Sequence, residues 1–218
     1  MNIDFKAQRV KMVDGQLRTT DVTGHRLLQA YLDVPRELFV PETKQSLAYL
    51  DADIEIAPGR YLGEASPIAK LIALAGIASG DTVLNVGAGS GYDAAILSKL
   101  ALSVTALESD PALAGLAQAN LRAAGAENVS VVTGDLASGS AGLGPYDVII
   151  LSGSVAEAPS ALFDQLKHGG RLVAVIGGET LGAARLFVQN DGAVSSRFGF
   201  NAALKPLPGF NQAPVFAL

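Results

Sequence analysis

The residues best suited to chemistry in this sequence are a glycine-rich turn and two acids that follow it at a distance. The turn is Gly87-Ala88-Gly89-Ser90-Gly91-Tyr92, and the acids are Glu108, followed by Ser109, and Asp135, which lies between Gly134 and Leu136. Glycines at alternate positions let the main chain take up positive φ angles and let a ligand approach peptide groups without meeting a Cβ. Glu108 closes an apolar run twenty-one residues after Gly87, where a carboxylate can accept from both vicinal hydroxyls of a ribose. Asp135 closes the next run and is suited to accept from an adenine amino group. Asn85, just before the turn, and Ser152, at the end of a further run, complete the set expected to line the ligand site.

Two ligands compete for this pattern. A strand, glycine turn, helix and later acid also describe a dinucleotide site, but here the glycines read G-x-G-x-G, with Tyr92 where the dinucleotide fingerprint has its third glycine. A ribose-binding acid is common to NAD and S-adenosylmethionine. The second acid at a successive strand end, Asp135, favours S-adenosylmethionine, with its adenosine lying across neighbouring strand tips. That placement requires Glu108 and Asp135 to face one cavity and the space above Gly89 to be open.

The elements that must position these residues follow from periodicity. Thr82 to Val86 reads as a strand buried on both faces, and 91–102 has the apolar spacing of a helix. Beyond them the pattern alternates: strand 103–107, helix 111–124, strands 129–133 and 146–151, helix 159–167 and strand 171–176. Such alternation predicts a doubly wound α/β sheet. Upstream, 5–14 and 21–32 read as helices, the second capped by Thr20 or Asp21, and Val34 to Glu42 as a short helical turn between prolines. Residues 48–65 read as an irregular or hairpin-like loop over a pocket, and Ser66-Pro67 as the cap and first residue of a helix running to Ile77. The apolar segments 181–189, 199–204 and 214–216 predict an antiparallel edge. The expected organisation is one domain over 1–218, with a helical and lid segment at 1–65, a cofactor core at 66–180 and edge strands at 181–218.

Composition narrows the partners. A net charge of -5 without a basic stripe disfavours nucleic acid. The chain has no cysteine, and no apolar run approaches the roughly 20 residues a membrane span needs. A cytoplasmic protein with no membrane partner is expected, of undetermined oligomeric state. No His, Asp or Glu cluster has metal-ligand spacing, so no metal is expected. His25 and His168 read as structural or solvated. Ser152-Gly153-Ser154 lacks a nucleophile-elbow pattern and reads instead as lining the cleft.

Over almost its whole length the chain resembles the protein-L-isoaspartate O-methyltransferases. The matching stretches are Met12-Val13 with Gln16-Leu17, Val34-Pro35-Arg36-Glu37 with Phe39-Val40-Pro41, Ala48-Tyr49 with Asp51, Val83 to Tyr92, and Gly134-Asp135. They continue through Tyr146 to Ile150, Gln165-Leu166-Lys167, Gly169 to Val173 and Pro206-Leu207. The resemblance implies a Rossmann-like, mostly parallel seven-stranded class I methyltransferase sheet with an N-terminal helical addition and an antiparallel C-terminal edge. It also implies S-adenosylmethionine as cofactor and a peptide or protein carboxylate, the isoaspartyl group of damaged proteins, as acceptor. The family's Gly-Gln-Thr-Ile-Ser-x-Pro substrate run falls on Gly59 to Ala65, where Tyr61 replaces the threonine and Gly63 the serine; Asn85 replaces the acid before the glycine turn. Arg60, Tyr61 and Gly63 are therefore the positions expected at the acceptor, with Arg60 either pairing with its carboxylate or solvated. These departures keep two rivals open: a methyltransferase with another acceptor, and a non-catalytic module that binds the cofactor.

Overall fold

In the computed structural model, which describes residues 3–210, the apolar run at 82–86 becomes an interior strand, third in order, of a seven-stranded sheet. In chain order the elements are α1 (Phe5–Met12), α2 (His25–Asp33), β1 (Ile54–Ala57), β2 (Arg60–Leu62), α3 (Ala65–Ala75), β3 (Thr82–Val86) and α4 (Tyr92–Ser98). They continue with β4 (Ser103–Glu108), α5 (Pro111–Ala123), β5 (Val129–Thr133), β6 (Tyr146–Val155), α6 (Ser160–Phe163), β7 (Leu166–Gly177), β8 (Gly182–Asn190) and β9 (Ala193–Ala202). The strand order is β5-β4-β3-β6-β7-β8-β9; β5 to β7 run parallel, and β8 and β9 add an antiparallel edge. β1 and β2 form a separate antiparallel hairpin.

Burial explains the local choices. Val83 to Val86 are all buried because helices cover both faces of a parallel sheet. Two apolar clusters result. One joins Val83, Val104, Val148 and Val173 to α3, α4 and the N-terminal segment; the other gathers Leu84, Val86, Leu107, Ile149 and Leu172 on the opposite face. α5 begins as a capped helix should, with Asp110 accepting from the N–H groups of Ala112 (2.8 Å) and Leu113 (3.3 Å), and with Pro111 at its first position. At the other end of β3, Asp147 accepts from the Thr82 N–H at 2.8 Å, the Thr82 hydroxyl at 2.9 Å and Lys167 Nζ at 2.7 Å, clamping β3, β6 and β7 together.

Several boundaries differ from the sequence reading. α2 starts at His25 with Gly24 as its cap, because Asp21 is in a left-handed turn and neither it nor Thr20 caps the helix. α3 starts at Ala65, so Ser66 is no cap: its hydroxyl donates to Thr20 Oγ1 at 2.7 Å, and Pro67 sits within the first turn, where no intrahelical donor is missed. α6 covers only Ser160–Phe163 because Gln165 turns aside to hold the 138–140 loop, accepting from Ser140 N–H and donating to Ser138 O, each at 2.8 Å. β9 begins at Ala193, earlier than expected, since its edge position leaves most of its residues exposed and gives it little apolar pattern. The expected strand at 214–216 lies outside the described residues.

The Val34 to Pro41 run has a structural role. It forms the predicted helical turn at Arg36–Phe39, and Arg36 is 1% exposed. Its Nε donates to Ala48 O at 2.7 Å, its Nη2 donates to Gly63 O at 2.6 Å, and the guanidinium stands 4.8 Å from the centre of the Tyr92 ring. One buried cation thus ties the N-terminal segment to the end of the hairpin and to the first residue of α4. Glu37 supports it from the other side, accepting from Arg9 at 3.1 Å and from the Tyr49 hydroxyl.

Arg36→Met keeps much of the volume but leaves two carbonyls without their charged donor, so urea unfolding should show a loss of about 2–4 kcal/mol; a change below 0.5 kcal/mol would refute this anchoring role. Burial pushes the Asp147 carboxyl up, but Lys167 and Thr82 outweigh that and hold it below its ordinary 3.8. A depressed folded value supplies stability that is complete above the unfolded value and is lost as pH falls through the folded one. Stability measured below about pH 4 should therefore fall less steeply in Asp147→Asn than in the parent chain.

Candidate functional site

The glycine turn sits where the sheet changes direction. From β3 the chain proceeds through β4 to β5 on one side, while β6 takes the other, which places the Gly87 to Gly91 turn in the crevice that open α/β sheets use for ligands. Gly87, Gly89 and Gly91 all have positive φ, at 78°, 56° and 96°. The N–H groups of Gly87 and Ala88 both donate to Leu107 O, at 2.9 and 3.0 Å, so the turn is fastened to the end of β4. A Cβ on Gly91 would come within 3.3 Å of Ala117 and Leu121, which explains glycine at the start of α4 by helix packing as well as by its angle.

Glu108 is fully buried at the tip of β4. Its carboxylate accepts from Gly89 N–H at 2.7 Å, Ser109 N–H at 2.8 Å and Asp110 N–H at 3.0 Å. Arg60 completes the shell as a bidentate partner, with Nη1 and Nη2 at 2.5 and 2.6 Å. Desolvation pushes the Glu108 carboxyl up, yet Arg60 and these backbone donors outweigh it and hold the group below the ordinary glutamate value. Arg60 is thus neither solvated nor free for an acceptor, as the sequence had suggested; its side chain is 13% exposed and spent on Glu108.

Asn85 and Ser152 meet beneath the turn. Asn85 Nδ2 donates to Ser152 Oγ at 2.8 Å, and Asn85 Oδ1 is a buried acceptor without a partner. Desolvation raises the Asp93 carboxyl above its ordinary value, and the Ser152 hydroxyl and Arg36 offset this only in part. Sequence reasoning passed over Asp93 because it looked like an ordinary helix-face acid.

The space above the turn departs from expectation. The reading required it to be open above Gly89, but Ile56 Cδ1 lies 3.0 Å from where a Gly89 Cβ would stand, and Leu207 Cδ2 lies 2.5 Å from the equivalent point on Gly87. The cavity that remains, lined by Arg60, Tyr61, Gly63, Gly87, Ser152 and the 204–207 segment, encloses about 20 Å³, room for a water and not for a nucleoside. Leu207 is held there by backbone pairing, its N–H donating to Ser154 O at 2.9 Å while Ser154 N–H donates to Lys205 O at 3.0 Å. Pro206-Leu207 was visible only as a shared motif. Tyr61 is 37% exposed, with Lys205 Nζ 5.3 Å from its ring centre.

Other expected residues divide by side chain and backbone. Tyr92 is buried among Tyr31, Phe39 and Arg36, and burial raises its hydroxyl to about 12, so only its main chain is left for a ligand. Leu136 is likewise a core residue. Ser90 is buried, its carbonyl accepting from Asn120 Nδ2 at 3.0 Å. Gly134 N–H donates to Glu108 O at 3.0 Å, bringing the tips of β4 and β5 together. Asp135 lies exposed beyond it, with Oδ1 accepting from Ser138 N–H at 2.7 Å. His168 is exposed and pairs with Asp191, far from the turn in sequence, and no metal-binding cluster occurs among the described residues. The residues present fit an adenosyl group in their chemistry: a buried acid, Glu108, suited to a vicinal diol, and an unpartnered amide oxygen, Asn85 Oδ1. The hairpin and Leu207 must yield for it to enter.

Comparison with known proteins agrees with this geometry. The family model described as protein-L-isoaspartate(D-aspartate) O-methyltransferase matches residues 7–206. A protein-L-isoaspartate O-methyltransferase of Koribacter versatilis is 40% identical over 82% of this chain and 81% of its own, and one of Methanoculleus marisnigri is 38% identical over 79% and 78%. Among solved structures, a protein-L-isoaspartate O-methyltransferase superposes with a TM-score of 0.79 at 28% identity, covering 92% of this chain and 66% of that longer one. A Plasmodium falciparum protein described as a putative member, in complex with S-adenosyl-L-homocysteine, shares the fold with a TM-score of 0.77 at 18% identity. By sequence and by fold, this chain belongs to the protein-L-isoaspartate O-methyltransferase family.

Proposed function

We propose that this protein is an S-adenosylmethionine-dependent O-methyltransferase that esterifies the carboxylate of isoaspartyl residues in peptides and damaged proteins, acting in the cytoplasm. The observation that carries the reading is Glu108, a buried acid held by the glycine turn at the switch point of a chain of this family. When bound, the cofactor would supply an electrophilic methyl group. Glu108 would hold its ribose, Asp135 its adenine, and Asn85 Oδ1 with Ser152 its amino-acid end.

The chain's own residues then have little proton transfer to perform. A carboxylate acceptor has an ordinary pKa near 4 and is ionised at neutral pH, so no general base is required. Both histidines can accordingly be absent from the site. What remains is alignment at near-attack distance and exclusion of water. Gly59 to Gly63 and the 204–207 segment supply the walls for this, with apolar surface from Ile68, Leu204 and Leu207. The loss of opposite charges as methyl and carboxylate combine favours a dry cleft over water. Tyr61 and Gly63, where the family pattern has hydroxyl residues, motivate a second reading: the same chemistry on a differently shaped carboxylate.

Incubation with methyl-labelled cofactor should yield base-labile ester on an isoaspartyl peptide and none on its aspartyl isomer; tight cofactor binding with no ester on either would favour the second reading. Asp135→Ala should weaken S-adenosylhomocysteine binding in calorimetry by about 1–3 kcal/mol through a lost adenine hydrogen bond. Unchanged affinity would move the adenine elsewhere.

A further inference from the structure

We propose that Arg60 is a latch: its guanidinium occupies the seat on Glu108 that a ribose needs, so the cofactor binds only after the β1–β2 hairpin releases that carboxylate. The inference rests on the assignment of Glu108 to the ribose and concerns what stands in its way.

Counting donors makes the competition explicit. A carboxylate offers about four lone-pair sites. Glu108 already accepts from Gly89, Ser109 and Asp110 N–H and from both Arg60 nitrogens, five donors within 3.0 Å of a side chain with no exposed surface. The three backbone donors are fixed by the glycine turn and the approach to α5. Of the side chains, the Ser109 hydroxyl makes one longer contact at 3.3 Å from the adjacent residue, and Arg60 alone arrives from a remote segment, its two parallel N–H groups matching the two donors of a vicinal diol. A ribose can therefore reach Glu108 by exchanging two hydroxyls for two guanidinium N–H groups, and by no addition to the existing shell.

The hairpin is built to make that exchange. β1 and β2 have four and three residues, pair only with each other, and lie outside the main sheet. Such a hairpin has little stability of its own and takes its position from what it touches. Its inner face reaches the site through Arg60 on Glu108 and through Ile56 over Gly89. Its far end is pinned separately, since Gly63 O accepts from buried Arg36 at 2.6 Å. Loss of the Arg60 pair removes the buried tie on the tip around Pro58-Gly59 and leaves the exposed Lys44, donating to Glu55 O at 2.8 Å, on β1, while the base stays anchored; the same movement withdraws Ile56 from the turn. The apparent affinity for the cofactor is then the intrinsic affinity reduced by the fraction of molecules with the latch open.

The test is calorimetry and stopped-flow binding of S-adenosylhomocysteine, which involves no turnover. Arg60→Ala should bind at least tenfold more tightly than the parent chain, and Arg60→Lys, which keeps the charge but not the bidentate fork, should fall between them. The observed binding rate of the parent should level off at high ligand, limited by opening, and that plateau should rise in Arg60→Ala, where Leu207 remains to yield but the latch does not. Three backbone donors remain on Glu108 in the variant, and thermal melting verifies its fold; if Arg60→Ala does not fold, Arg60→Lys decides alone. Equal or weaker binding by the folded variants, with Glu108→Gln abolishing binding, overturns the latch and leaves the proposed cofactor intact. Failure of the parent and every Arg60 variant to bind S-adenosylhomocysteine overturns both.

Discussion

A fully buried carboxylate dictates the arrangement of this molecule around its cleft. Glu108 is stable as an anion only while donors surround it, and those donors come from three places: the glycine turn, the chain leading into α5, and the hairpin. Desolvation of such a group without partners costs several kcal/mol, so the three segments are held in mutual register by one charge. The turn's own fastening to Leu107 O, one residue earlier in β4, makes that register rigid. What the site can bind and what its walls can do both follow from how those donors are allotted.

Arg36 plays the complementary part on the other side of the turn. It is a cation as buried as Glu108 is, satisfied by carbonyls and by the face of Tyr92 instead of by a direct carboxylate. The N-terminal segment is thereby more than an addition to a Rossmann-like core: it sets the base of the hairpin and seats the first residue of α4. A guanidinium can do this where an ammonium cannot, since its planar fork addresses two carbonyls while stacking on a ring.

The sheet was legible because buried parallel strands write themselves as apolar runs and the intervening helices as periodic ones; β3, β4 and β5 fall where Thr82, Ser103 and Val129 open such runs. β9 was foreshortened because an exposed edge strand such as Ala193–Ala202 has no apolar period to read. The Ser66-Pro67 cap failed for a tertiary reason, the pull of Thr20 on the Ser66 hydroxyl, which no local pattern records. At the site, the glycine spacing and the place of Glu108 at the end of β4 follow from the apolar runs, whereas Ser152, expected just past a strand, lies inside β6 because that strand runs on to Val155. The pairing of Arg60 with Glu108, and the seating of Leu207 on Gly87, bring together segments remote in sequence, and single-sequence periodicity carries no information about such meetings.

Leu207 has a consequence for how the molecule comes into being. Its segment lies against β6 only after β7, β8 and β9 have been laid down, yet it covers Gly87 and Gly153 near the centre of the sheet. Contacts between such distant stretches form late because loop closure must precede them. Until the edge strands have been made, the end of β3 therefore stands bare, and the cleft acquires this wall only after β9 is in place.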